Sequence, residues 1–265
     1  MYEKKMPFWD HFDELRVRLM RIAYGFLGGF FIGYYVSNPV MNWLKAPLYK
    51  ALPPEQHKLY YSHVFENFLV HLKISGFVSL VLIVPYALYE VWGFVSPGLK
   101  PHEKKWAIPF IGAAFAFFLS GMAFAYYVLF PIGFKYFMEF GSPDEVPLLT
   151  MDRYYMMALK LMISFGAAFQ IPVILVILGA LGVLSVETLK SSRRIAFMII
   201  TGVSAVVAPP DAISMLMLMA VLAALYELSI WVITLITKNR ALVSELGPST
   251  NTSPPHPLKG ESRDS

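Results

Sequence analysis

Long apolar stretches alternate with short charged clusters along this chain. A helix needs about 20 apolar residues to cross the hydrocarbon of a bilayer, and the pattern predicts six spans, at about 19–36, 68–94, 106–130, 156–184, 195–208 and 212–236. The first is rich in glycine (Gly25, Gly28, Gly29, Gly33), the second is long enough to tilt and carries Pro85, and the fourth contains Pro172. The fifth, Ile195 to Ala208, reaches only about 21 Å at 1.5 Å per residue. Pro209-Pro210-Asp211 then forces a tight reversal. Glu227 interrupts the sixth, so its purely apolar part is also short; two short neighbouring helices thin the bilayer locally or are sheltered by the others. Ahead of the first span, Phe8, Phe12, Leu15 and Leu19 share one helical face, which predicts an interfacial helix over 7–19.

Composition places these elements in lipid. The chain is 57% hydrophobic and 15% charged, against roughly 25% charged in soluble domains, and its mean hydropathy is +0.55. The net charge of +4 comes from Lys and Arg beside apolar spans, which orients a chain in a membrane rather than binding nucleic acid. One set of loops holds Lys4, Lys5, Arg16, Arg18, Arg21, Lys100, Lys104, Lys105, Lys190, Arg193, Arg194, Lys238 and Arg240; by the positive-inside rule this set is cytoplasmic, with both termini inside. The fold class is therefore an all-α integral membrane protein of six transmembrane helices, the last two short. The opposite loops, 37–67 and 131–155, contain apolar residues and prolines (Pro47 among them) and are expected to cap the bundle. Residues 241–265 turn Ser-, Thr- and Pro-rich and read as a disordered tail.

Enzyme signatures are missing from the sequence. There is no HExxH, GxSxG or P-loop, no cysteine, and no His–carboxylate cluster with metal-ligand spacing, so no cofactor or metal is expected. The polar residues inside the spans are His71, Lys73, Glu90, Lys160, Gln170 and Glu227. Snorkelling accounts for Lys73, Lys160 and Glu90 near span ends, whereas Gln170 and Glu227 ask for interior partners. His71 has no obvious partner. Glu14 stands four residues before Arg18, which by itself predicts an i,i+4 pair. Glu14 and Glu103 both lie at the predicted cytoplasmic boundary, where two carboxylates could hold two guanidinium groups through bidentate bonds. A six-helix secondary transporter of a small solute, with Glu227, Gln170 and Lys160 as its polar path, is the alternative; it predicts internal pseudo-symmetry, and no repeat is evident.

The run His11-Phe12-Asp13-Glu14-Leu15-Arg16-Val17-Arg18-Leu19 resembles the H-x-x-E-L-R-x-R opening of the TatC family, the core subunits of twin-arginine protein translocases. Ala46-Pro47-Leu48 resembles the family's A-P-L. Pro85, Tyr89, Trp92, Phe94, Pro97, Gly98, Leu99 and Glu103 resemble its second span and the loop after it. Gly121 to Tyr126, Phe130-Pro131, Phe169 to Val173 and Pro209-Pro210-Asp211 continue the likeness in order, over roughly 7–240.

The resemblance implies a concave, glove-like bundle and a receptor for twin-arginine signal peptides that carries folded proteins across the membrane on the proton-motive force. It implies signal-peptide binding by Glu14 and Glu103, with Arg16 and Arg18 in the same region. Gln170, Glu227, Phe94 and Asp211 are expected at the concave face or at partner contacts, and Pro47, Pro209 and Pro210 in the external caps. The implied partners are TatA-like and TatB-like single-span subunits near the fourth to sixth spans, signal peptides of folded cargo, membrane lipid and further copies in an oligomer. The implied location is a bacterial or archaeal cytoplasmic membrane. One departure stands out: the family often has Glu where this chain has Gln170, and an amide keeps hydrogen bonding without charge.

Overall fold

A computed structural model describes residues 8–54, 57–95, 107–140, 148–180, 183–208 and 211–245. The helices are α1 (Phe8–Tyr35), α2 (Ser37–Ala51), α3 (Glu66–Val95), α4 (Ala107–Phe124), α5 (Phe130–Phe140), α6 (Met151–Ala168), α7 (Gln170–Ala180), α8 (Val186–Ser191), α9 (Arg193–Val207) and α10 (Ala212–Glu245). Among the described residues the extended pairing is a single isolated bridge, Tyr60 to Thr150. Four helical segments are long and apolar enough to cross a membrane: Glu66–Phe94, Ala107–Tyr136, Met151–Gly179 and Ala212–Lys238. Phe12–Tyr35 and Ser37–Ala51 reach that length and hydropathy only together, across a 72° bend, and count as a fifth if the pair is one span. Helix α9, 15 residues long, covers about 22 Å and is short, as its sequence predicts.

Several boundaries differ from the pattern-based reading, each for a local reason. The interfacial helix expected over 7–19 is continuous with the first span in α1, because no Pro or Gly separates them. The third span does not stop at Pro131. A π turn at Ala125–Leu129 precedes it, in which the Phe130 N–H reaches back to the Ala125 carbonyl, and the helix resumes as α5 to Phe140. The wider turn accommodates a ring that would clash with the preceding turn of a regular helix. The fourth span starts earlier than 156, at Met151, and breaks at Phe169, since Pro172 has no N–H to return to the Ala168 carbonyl. Glu227 does not interrupt α10, which runs 34 residues to Glu245. The first residues of the predicted tail are thus helical, and 246–265 lie outside the described residues.

Close helix approach is built from small residues. Gly25, Gly29 and Gly33 line the face of α1 that meets α3; a methyl on Gly29 would stand 2.8 Å from Ser79 Oγ, and one on Gly33 would collide with the Ser75 carbonyl. The Ser79 hydroxyl donates across the contact to the Phe26 carbonyl. In lipid, where apolar burial gives helices little drive to associate, such packing and interhelical bonds take over.

At the opposite end of the helices the segment 37–51, expected as part of a loop, is helical. Helix α2 lies over the bundle and three tyrosines pin its backbone: Tyr126 Oη donates to Trp43 O (2.8 Å), Tyr154 Oη to Leu44 O (2.5 Å) and Tyr155 Oη to Met41 O (3.2 Å). Pro47, buried in α2, explains the first bond. It lacks the N–H that would satisfy the Trp43 carbonyl one turn back, and the Tyr126 hydroxyl supplies the donor instead. The segments leading into α3 and α6 are clasped by Tyr60 N to Leu149 O (2.9 Å) and Met151 N to Tyr60 O (2.8 Å). Buried Glu66 accepts from the backbone N–H groups of Ser62 and Asp152. Lys73 pairs with Asp152, and His71 Nδ1 lies 2.8 Å from Ser37 Oγ; neither residue is left to snorkelling or without a partner.

Candidate functional site

Where α1 begins and α3 ends, at one end of the spanning helices, four charged side chains of the described residues meet. The Glu14–Arg18 pair predicted from i,i+4 spacing forms: Arg18 Nε and Nη2 both donate to Glu14 Oε1, at 3.0 and 2.6 Å. The same guanidinium turns its Nη1 to α3, donating to Glu90 Oε2 at 2.8 Å and to the Glu90 carbonyl at 3.3 Å. Glu90 is only 3% exposed. Its Oε1 accepts from the Tyr86 hydroxyl (2.8 Å) and faces Arg21 Nη1 (3.7 Å). Glu90 is thus not a snorkelling side chain but the buried centre of the cluster. A buried carboxylate persists only when its charge is matched and its oxygens are bonded, and Arg18, Arg21 and Tyr86 do both.

Gly93 makes the cluster possible. It sits one turn beyond Glu90, and a methyl there would overlap the Arg18 guanidinium. Beyond the charges, an apolar groove of about 590 Å³ runs between α1 and α3, lined by Leu19, Ile22, Phe26, Leu80, Ile83 and Ala87 among others.

Of the residues expected at this end, Glu14 and Arg18 are brought together, while Arg16, on the same helix, is exposed. Phe94 is half-buried on the last turn of α3, four residues past Glu90. Glu103 lies outside the described residues, as do Pro209 and Pro210. Glu90, Tyr86 and Gly93 were missed as site residues. The only signal for them in sequence is the i,i+4 spacing of Tyr86 and Glu90 on one helical face.

The remaining candidates have separate partners. Gln170 Nε2 donates to the Ala114 carbonyl of α4 at 3.0 Å. An ionised carboxylate at 170 could not make that bond, which gives a physical reason for an amide where Glu is often found. Glu227 Oε2 accepts from Arg193 Nη2 at 2.7 Å and ties the start of α9 to α10. Asp211 caps α10, its Oδ1 accepting from Ser214 N at 2.6 Å. Lys160 lines a different cavity, of about 660 Å³ between α6 and α9, with Asp152 and Arg153. The polar path required by a solute transporter is therefore spent in local ties at Gln170 and Glu227. Among the described residues no group of three His, Asp or Glu side chains could hold a metal ion.

Residues 10–220 match the family model described as Sec-independent protein translocase protein (TatC). The chain is 36% identical over 228 residues to the Sec-independent protein translocase protein TatC of Desulforapulum autotrophicum, a match covering 86% of this chain and 84% of the relative. It is 33% identical over 237 residues to the TatC of Aquifex aeolicus, covering 89% and 98%. A crystal structure of the twin-arginine translocase receptor TatC superimposes with a TM-score of 0.76 at 34% identity, covering 86% of this chain and 99% of that one.

Proposed function

Because this chain belongs to the TatC family of Sec-independent protein translocase proteins, we propose that it is the receptor and core subunit of a twin-arginine translocase, with Glu14 as a ligand for the arginines of signal peptides. The observation that carries the assignment of the site is Arg18: Glu14 already holds a guanidinium there, through two charge-assisted bonds at the membrane boundary. A site that fits one guanidinium in that environment is suited to another. Glu103 is the second carboxylate of this reading, and Arg16 and Arg18 belong to the same region. Two adjacent arginines would then be met by two carboxylates.

In this reading the chain lies in a bacterial or archaeal cytoplasmic membrane with both termini and the Glu14 cluster inside. The apolar groove beside Leu19 and Phe26 offers a continuing surface to the apolar part of a signal peptide. TatA-like and TatB-like single-span helices pack near α6 to α10, where large apolar side chains such as Met198, Val206 and Trp231 stand exposed. Cargo moves on the proton-motive force, and the working assembly holds more than one copy of the chain. The family assignment leaves the small-solute transporter without support.

Export in cells lacking their own TatC tests the proposal. The chain is expected to restore export of a folded reporter with a twin-arginine signal and not with a twin-lysine signal. Glu14→Ala/Glu103→Ala is expected to abolish export while the protein stays in the membrane. Undiminished export by that double variant would overturn the site.

A further inference from the structure

Arg18 bridges two carboxylates, and only one of them faces the proposed peptide site. On the premise that Glu14 receives signal-peptide arginines, we propose that Arg18 is a built-in competitor for that site and that Glu90 is the acceptor onto which it withdraws when an incoming guanidinium takes Glu14.

The bonding of Arg18 is divided in a way that permits the exchange. Nε and Nη2 serve Glu14, both on Oε1, while Nη1 serves the Glu90 carboxylate and carbonyl. Releasing Glu14 costs Arg18 two bonds and leaves its charge compensated by Glu90, 2.8 Å away. The acceptor is fixed: Glu90 is buried, and its other oxygen is held by Tyr86. Gly93 leaves open the surface of α3 against which the guanidinium lies.

Charge sets the cost of the exchange. Among the described residues, Glu14 and Glu90 balance Arg18 and Arg21 in the resting cluster. An incoming arginine that pairs with Glu14 leaves Arg18 sharing Glu90 with Arg21, a crowding that a second carboxylate from outside the cluster relieves. The consequence is selectivity by competition. A ligand must displace a planar, bidentate donor, and lysine, with a compact ammonium and no fork, does this poorly. Discrimination against lysine thus lies partly in what has to be expelled, not only in what is gained.

The test is binding of a labelled twin-arginine signal peptide to the full chain in nanodiscs. Glu90→Gln keeps an acceptor for Tyr86 but removes the charge that draws Arg18 away, so Arg18 commits to Glu14 and the peptide binds about fivefold more weakly. Arg18→Gln/Glu90→Gln removes the competitor and its acceptor together without changing net charge; binding tightens about fivefold and the preference over a twin-lysine peptide shrinks. Arg18→Lys, which keeps the charge that folding needs, tightens binding in the same direction. Unchanged or weaker binding by both Arg18 variants, or unchanged binding by Glu90→Gln, overturns the exchange. Glu14→Gln separates the two levels. If it binds like the parent, the receptor site itself is wrong; if it loses binding while the other variants fail to move in opposite directions, only the exchange is wrong.

Discussion

Removing the Tyr126 hydroxyl is expected to destabilise the packing of α2 far more when Pro47 is present than when it is absent. Tyr126→Phe keeps the ring, which stacks on Trp43 with centroids 4.0 Å apart and planes 12° apart. What is lost is the donor to the Trp43 carbonyl, 2.8 Å away. Because residue 47 has no N–H, that carbonyl is left without a helix donor, and the cost is the full penalty of an unsatisfied group, about 1–3 kcal/mol. Tyr155→Phe serves as the internal comparison. Its acceptor, the Met41 carbonyl, keeps the N–H of Lys45 one turn on, so losing the 3.2 Å bond costs about 0.5–1.5 kcal/mol. In a Pro47→Ala background the restored backbone N–H at position 47 returns to the Trp43 carbonyl, and Tyr126→Phe falls to the smaller cost. The double-mutant cycle therefore predicts a coupling of about 1 kcal/mol between positions 47 and 126. The assay is thermal or denaturant unfolding of the four proteins in one detergent, followed by the fraction that stays monodisperse. Additive effects, with Tyr126→Phe equally costly in both backgrounds, would refute the account of Pro47.

Three further outcomes follow from individual contacts. Gly93→Ala is expected to lower stability by about 1–3 kcal/mol, because a methyl there meets the Arg18 guanidinium; Gly112→Ala, with open space around it, is expected to be neutral or slightly stabilising through helix propensity, and melting of the two variants side by side checks the contrast. Gln170→Glu is expected to destabilise the α4–α7 contact at neutral pH more than Gln170→Leu does, since an ionised carboxylate turns lone pairs toward the Ala114 carbonyl where an apolar side chain only loses the bond; unfolding of both variants at pH 8 decides it. Glu227→Arg opposes two cations at the start of α9, and the charge swap with Arg193→Glu is expected to recover stability that either single reversal loses, because the pair rather than either charge alone ties α9 to α10; thermal unfolding of the two single reversals and the swap checks it.

The membrane fold was legible because bilayer thickness writes itself into the sequence as apolar length: α3 and the short α9 stand close to where the pattern puts them. Local chemistry also read correctly at Glu14, whose partner lies one helical turn away on the same face. What the sequence hid is irregular helix geometry in one place and a second element in the others. Pro131 looks like a helix stop, and only the π turn before it shows how the helix continues. Glu227 looks like an interruption until Arg193 arrives from α9. Glu90 lies near a span end, where snorkelling is the usual explanation, and nothing local says that Arg18, 72 positions earlier, will be packed against it through Gly93. Helix pairing is the missing information for Glu227 and Glu90, and the Gly25, Gly29, Gly33 stripe that brings α1 onto α3 reads in sequence only as a glycine-rich span.

Direct binding of a labelled twin-arginine signal peptide to the purified chain in nanodiscs, beside a twin-lysine peptide and the Glu14→Ala/Glu103→Ala variant, tests the central claim. Saturable binding that needs both arginines and both glutamates is the predicted result, since lysine keeps the charge and loses the bidentate fork. Equal binding of both peptides to both proteins would mean general attraction to a basic, apolar segment, and would contradict the assignment of Glu14 as a guanidinium receptor.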